Sequence, residues 1–172
     1  MGVKGFQRAV GKTREEAREF IDRYLEEFSG IAEYIKEAKI KARRDGYVAT
    51  MMGRRRPLAE INSGIPMLVA QAERVAINMP IQGAASDIIK IAMVKIADLL
   101  RKEYKDKADM LLQIHDELLF EVEEKYTREL AVKIKSIMES SIEIDAPLIV
   151  EAKVGNNWEE MSAIGGSASG GE

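Results

Sequence analysis

Two apolar runs, Met110-Leu111-Leu112-Gln113-Ile114 and Leu118-Leu119-Phe120-Glu121-Val122, are separated only by His115-Asp116-Glu117. That spacing predicts a tight β-hairpin, with two carboxylates, Asp116 and Glu117, at its tip. Crowding acids against apolar strands costs desolvation, and the cost is offset when a cation shares them. Oxygen ligands on a rigid turn suit Mg²⁺ held together with substrate phosphates. An ordinary solvated turn has the same composition, because Asp and other polar residues favour turns for purely local reasons.

The flanking sequence is mostly helical. Thr13-Arg14-Glu15-Glu16 spells a capping box, and Ala17, Phe20, Ile21, Tyr24, Leu25 and Phe28 follow at helical spacing up to Ser29-Gly30. A second helix carries Ile31, Tyr34, Ile35, Ala38 and Ala42 and stops at Asp45-Gly46. Tyr47 to Thr50, then Met51-Met52-Gly53-Arg54-Arg55-Arg56-Pro57, predict a short strand, a glycine turn and a basic return. Residues 67–101 are helical again, and Pro80 predicts two helices or one bent one. A helix over Thr127–Ser141 and a strand over Pro147–Val154 complete an α+β chain. Residues 163–172, AIGGSASGGE, predict a flexible tail or linker.

Composition narrows the chemistry. With no cysteine among 172 residues, disulfide frameworks, thiol nucleophiles and cysteine-ligated metal sites are excluded, and with a single histidine no triad, HExxH zinc site or multi-histidine metal centre is easily assembled around His115 alone. The net charge of -3 gives no global basic field. Lys36, Lys39, Lys41, Arg43, Arg44, Arg54, Arg55 and Arg56 against Glu37 and Asp45 nevertheless make a local +6. Such a run serves phosphate contact or simply a solvated face. Arg74, Asn78 and Gln82 stand at i, i+4 and i+8, one polar stripe among Val75, Ala76, Ile77, Met79 and Ile81. Guanidinium and amide groups suit phosphates and base edges, and they suit a solvent face equally. No stretch reaches signal-peptide or membrane-span length, which predicts a cytoplasmic protein without membrane contact.

The ordered blocks Glu73-Arg74-Val75-Ala76-Ile77-Asn78-Met79-Pro80-Ile81-Gln82-Gly83-Ala84-Ala85-Ser86-Asp87-Ile88-Ile89-Lys90 and Gln113-Ile114-His115-Asp116-Glu117 resemble the C-terminal part of family A DNA polymerases, the bacterial DNA polymerase I type. The resemblance extends from about Gly2 to Trp158 and includes Gly46-Tyr47-Val48, Gly53-Arg54-Arg55-Arg56 and Val154-Gly155-Asn156-Asn157-Trp158. It implies the remainder of a fingers subdomain over 1–66, the C-terminal part of an antiparallel palm over 67–161, and the tail over 162–172. Asp116 matches the catalytic, Mg²⁺-binding aspartate of motif C, with Glu117 supporting it. His115 matches a contact to the primer terminus. Arg74, Asn78 and Gln82 match contacts to the primer-template duplex, and Arg54 with Arg55 falls in a basic segment near the template.

Departures from the family pattern matter as much. Motif A, with its metal-binding aspartate, and motif B, whose Lys and Arg grip the triphosphate, precede the matched region, and Gly2 aligns with the glycine that closes motif B. The usual Thr-Ala-Ala after Gln-Gly is Ala84-Ala85-Ser86, and the usual Pro is displaced to Pro57. The resemblance therefore implies part of a template-directed polymerase acting on primer-template DNA and deoxynucleoside triphosphates (dNTP). Two Mg²⁺ ions would be held jointly with a partner chain or N-terminal segment bearing motifs A and B, and this chain alone would be inactive. The alternative is a non-catalytic DNA-binding or assembly fragment. A His-Asp phosphohydrolase, suggested by His115-Asp116, lacks the further histidines it needs.

Overall fold

In a computed structural model, residues 3–164 are described, and they form an α+β chain of two compact units divided between Gly83 and Ala84. The division falls inside the long helix α4 (Pro66–Glu103), which contributes a segment to each unit.

In the first unit, α1 (Val3–Val10) is followed by α2 (Arg14–Glu27), whose entry is fixed by the predicted capping box. The Glu16 amide donates to Thr13 Oγ1 (3.2 Å), and the Thr13 amide donates to the Glu16 carboxylate (2.9 Å). The apolar stripe of α2 is only partly covered. Ala17 is buried, whereas Phe20, Tyr24 and Phe28 remain about half exposed, with Phe20 stacked on Phe6 at 4.9 Å. Helix α3 (Ser29–Asp45) ends as expected at Gly46, whose φ of 73° is the left-handed cap conformation that glycine adopts without a Cβ penalty. Strands β1 (Tyr47–Ala49) and β2 (Arg55–Pro57) pair antiparallel across a turn containing Gly53 at φ 83°. A short 3₁₀ turn (Ala59–Asn62) leads to α4. The core of this unit is Ala42, Val48, Leu58, Ile61, Ala72 and Ala76, with Val75 and Met79 packed against it.

The second unit is built on the remainder of α4, the hairpin β3 (Ala108–Ile114) and β4 (Glu117–Val122), and α5 (Thr127–Glu139). Ala92, Ile96 and Leu100 of α4 meet Leu130 and Ile134 of α5, and Met110, Leu118, Phe120 and Val122 close the core from the hairpin. Tyr104 is buried at the end of this core, its ring edge-on to Tyr126 and its hydroxyl donating to Glu129 at 2.6 Å. Facing pairs run Met110↔Phe120, Leu112↔Leu119, Gln113↔Leu118 and Ile114↔Glu117, so Leu111 is a bulge. The extra residue reverses the alternation, turning Leu112 and Ile114 to the face opposite the core. Those two side chains and Leu111 stay one-third to one-half exposed.

One expectation is decided between its alternatives and two change. Of the two helices or one bent one that Pro80 allowed, the chain has one: α4 runs uninterrupted from Pro66 to Glu103. Proline forfeits one backbone hydrogen bond, to the Ala76 carbonyl, and the surrounding turns are held by contacts from α3 and the β1–β2 turn. The strand predicted over Pro147–Val154 is reduced to β5 (Lys153–Val154), because only those residues find a partner, β6 (Ser162–Ala163). Ser162 and Ala163 thus belong to a small antiparallel ladder and not to a tail. The tail's residues 165–172, and Gly2, lie outside the described residues. Gly155 lets the chain close here, since a Cβ would lie 2.6 Å from the Glu160 carbonyl oxygen.

Leu130 is completely buried at the centre of the second core. Leu130→Ala is expected to destabilise the chain by about 2–5 kcal/mol, read from chemical denaturation monitored by circular dichroism.

Candidate nucleic-acid and metal site

Each unit carries one group of candidate residues. In the first unit, Arg74, Asn78 and Gln82 are exposed along one face of α4. At about 100° per residue the middle of that stripe lies roughly 130° around the helix from the mean direction of Ala72, Ala76, Met79 and Gly83. Ala72, Ala76 and Gly83 are buried, and Met79 packs on the core.

That orientation is held at three points of α4 by polar contacts from the rest of the unit. Glu73 accepts from Lys39 Nζ (2.9 Å) and Arg43 Nη2 (2.6 Å) of α3. The Ile77 carbonyl accepts from the Tyr34 hydroxyl (2.7 Å), and the Gly83 carbonyl from Arg54 Nη2 (2.8 Å). Two of these anchors, Glu73 and Ile77, immediately precede Arg74 and Asn78 in sequence, and the third, Gly83, immediately follows Gln82. Partial burial raises the Tyr34 hydroxyl above its ordinary pKa, keeping it a donor.

The basic run reads differently once folded. Lys39 and Arg43 are engaged by Glu73, Arg44 by Asp45 (2.6 Å), and Arg54 by Gly83, while the Arg55 guanidinium lies 4.7 Å over the Tyr47 ring. Much of the local +6 is therefore tied within the chain. Arg55 and Arg56 remain on the exposed strand β2.

In the second unit, His115 and Asp116 form the two-residue turn of the β3–β4 hairpin, and Glu117 opens β4. All three are exposed. His115 holds φ at 55°, a left-handed conformation rare outside glycine and, for a side-chain-bearing residue, a form of strain that clusters at functional sites. The Gln113 side-chain amide donates to the His115 carbonyl at 3.0 Å and supports the turn. Beneath the hairpin an open groove of about 660 Å³ is lined by Asp116, Glu117, Leu118, Phe120, Lys153 and Trp158, among others.

The Asp116 and Glu117 carboxylates have the hard-oxygen chemistry Mg²⁺ prefers, but two side chains supply only part of a six-oxygen shell. Among the described residues, no group of three or more His, Cys, Asp or Glu gathers to hold a metal, and no helix is long and apolar enough to cross a membrane. The residues fit a metal site as contributors to it.

Sequence reasoning missed the anchoring roles of Tyr34, Glu73 and Gly83. A glycine within a helical pattern and cations at i and i+4 on α3 were the available signals, and neither identifies its partner without a fold.

A sequence profile described as DNA polymerase family A matches residues 1–160. DNA polymerase I of Pseudomonas aeruginosa is 40% identical over 160 residues, covering 93% of this chain and 17% of that protein. DNA polymerase I of Bacillus subtilis is 44% identical over 154 residues, covering 90% and 17%. The POL domain of Pol1 from M. smegmatis, solved in complex with DNA primer-template and dNTP, superposes with a TM-score of 0.81 at 37% identity over 86% of this chain and 26% of that one. The chain thus spans about a sixth of the length of these curated relatives.

The Lys39 ammonium, followed by the Arg43 guanidinium, holds the Glu73 carboxyl below its ordinary value of 4.5. A depressed folded-state pKa means that this anchor is complete above about 4.5 and is lost as pH falls through the lower, folded value. The protection of the amides of residues 74–78, measured relative to their intrinsic exchange rate at each pH, is expected to fall in that acid interval, and Glu73→Gln should show the lower protection already at neutral pH.

Proposed function

Because this chain belongs to DNA polymerase family A, we propose that it supplies the motif C carboxylates and part of the primer-template surface of a template-directed DNA polymerase. The observation that carries this reading is the display of Asp116 and Glu117 on a strained, two-residue turn, in a chain that matches the family along nearly all its described length.

In this reading, Asp116 and Glu117 offer carboxylate oxygens to Mg²⁺, alongside acids from segments bearing motifs A and B on the same or another chain. The bound ions would activate the primer 3′-hydroxyl and neutralise charge on the triphosphate and leaving pyrophosphate. His115, at the same turn, lies at the primer terminus. Arg74, Asn78 and Gln82 donate hydrogen bonds to the duplex. The minor groove presents acceptors at every Watson–Crick pair, so such donors test pair geometry without reading sequence. Arg55 and the exposed β2 backbone face the template. The exposed Leu111, Leu112 and Ile114 are covered by the remainder of the palm, which also shields the hairpin's edges. A cytoplasmic location follows from the same role.

The test is Mg²⁺-dependent primer extension by this chain alone and by a mixture with the polymerase segment carrying motifs A and B. Extension is expected only in the mixture. Since losing a neighbour of a metal ligand already costs about 10–100-fold, Asp116→Asn should lower the mixture's rate by more than about 100-fold with duplex affinity nearly unchanged. Normal extension by Asp116→Asn overturns the metal assignment. No extension in the mixture, despite association and duplex binding, leaves a DNA-binding fragment. Duplex binding by the chain should weaken steeply with salt, log K falling linearly with log salt concentration.

A further inference from the structure

We propose that Arg54 and Thr50 form a positioning device for Gln82, with Gly83 as its receptor, and that Arg54 acts on the duplex through this contact without touching DNA. The proposal rests on the reading of the Arg74–Asn78–Gln82 stripe as a duplex surface.

The turn between β1 and β2 is rigid by construction. Its ends are tied by the Thr50 amide to the Arg54 carbonyl (3.0 Å), the Gly53 amide to the Thr50 carbonyl (2.9 Å) and the Arg54 amide to Thr50 Oγ1 (3.2 Å). This network turns two groups onto one point of α4. The Arg54 guanidinium donates to the Gly83 carbonyl at 2.8 Å. The Thr50 methyl occupies the space where any side chain at position 83 would begin, since a Cβ there would lie 2.5 Å from Thr50 Cγ2. Thr50 is buried, so its short, β-branched side chain has nowhere to retreat. Only glycine allows the approach.

The placement gives the contact its purpose. Gly83 directly follows Gln82, the last member of the polar stripe, and lies one turn past Pro80, where α4 has forfeited a backbone hydrogen bond. A charge-assisted donor bound to the Gly83 carbonyl fixes the turn of α4 from which Gln82 projects. An arginine occupied in this way is aimed at the helix backbone, whereas Arg55, its neighbour, lies over Tyr47 on the outer strand.

The experiment uses the full chain and a fluorescein-labelled primer-template duplex of mixed sequence, with NMR of the chain without DNA as a second readout. Arg54→Ala is expected to weaken duplex binding about fivefold, the scale of one hydrogen bond, with the slope of log K against log salt unchanged. Gln82→Ala in the Arg54→Ala background should add little, because both remove one coupled contact. In the free chain, Arg54→Ala should shift the Gln82 side-chain amide resonance and speed exchange at residues 81–85, while Arg54→Lys restores part of both. Gly83→Ala should reproduce the Arg54→Ala defect and Thr50→Ser should relieve it, by removing the methyl and keeping the hydroxyl. This pair also serves if Arg54→Ala does not fold.

A salt slope reduced by about one in Arg54→Ala would mean a direct phosphate contact and overturn the proposal. So would additive losses for Arg54→Ala and Gln82→Ala, or an unmoved Gln82 resonance. If Arg74→Ala and Gln82→Ala leave affinity unchanged while the resonance and exchange effects of Arg54→Ala persist, the duplex reading fails and the positioning contact stands.

Discussion

A helix anchored on one side has no choice about what it shows on the other. In the first unit, α4 is fixed to α3 through Glu73 and through the Ile77 carbonyl, and to the β1–β2 turn through the Gly83 carbonyl. The small buried residues Ala72 and Ala76 let it approach closely. Arg74, Asn78 and Gln82 point away from that seam because the helical period leaves them nowhere else to go. Most other features of the unit serve the anchors: the glycine cap that ends α3 feeds β1, and the turn that follows carries Arg54.

The polar contacts matter more for orientation than for gross stability. Hydrogen bonds of this kind contribute about 0.5–1.5 kcal/mol each, and partly exposed ion pairs less, while the apolar seam beneath them supplies most of the free energy. Apolar packing tolerates small rotations of a helix, whereas a carboxylate shared by two cations, or a carbonyl met by a guanidinium, does not. The basic run illustrates the same division. Its charge suited phosphate contact or a solvated face alike, and Lys39, Arg43 and Arg54 are engaged with α4. These positive side chains orient the helix that carries the polar stripe.

The second unit follows a different logic. Its core is an ordinary apolar one, and the exposed carboxylates lie at the hairpin tip, where the left-handed conformation of His115 is maintained by the ladder on both sides. The bulge at Leu111 turns Leu112 and Ile114 out of the core, giving the hairpin a second, apolar face. A strand pair with one face on its own core and an apolar opposite face is suited to a further packing layer on that face.

Local signals were legible in the residues: the Thr13–Glu16 capping box, the Gly46 stop, the glycine turn before Arg54, and the hairpin closed by His115 and Asp116. Each depends on contacts within a few positions, and so did the shared face of Arg74, Asn78 and Gln82. The sequence determined which residues stand on that face and at that tip. Tertiary structure decided the rest. Whether Pro80 breaks a helix depends on distant residues that hold its neighbours, whether Pro147–Val154 forms a strand depends on a partner edge, and whether a basic residue meets solvent or a carbonyl depends on what folds beside it. The meeting of Arg54 with Gly83, 29 positions apart, is such a case: composition offers a guanidinium and a bare α-carbon, and only the packed chain brings them together.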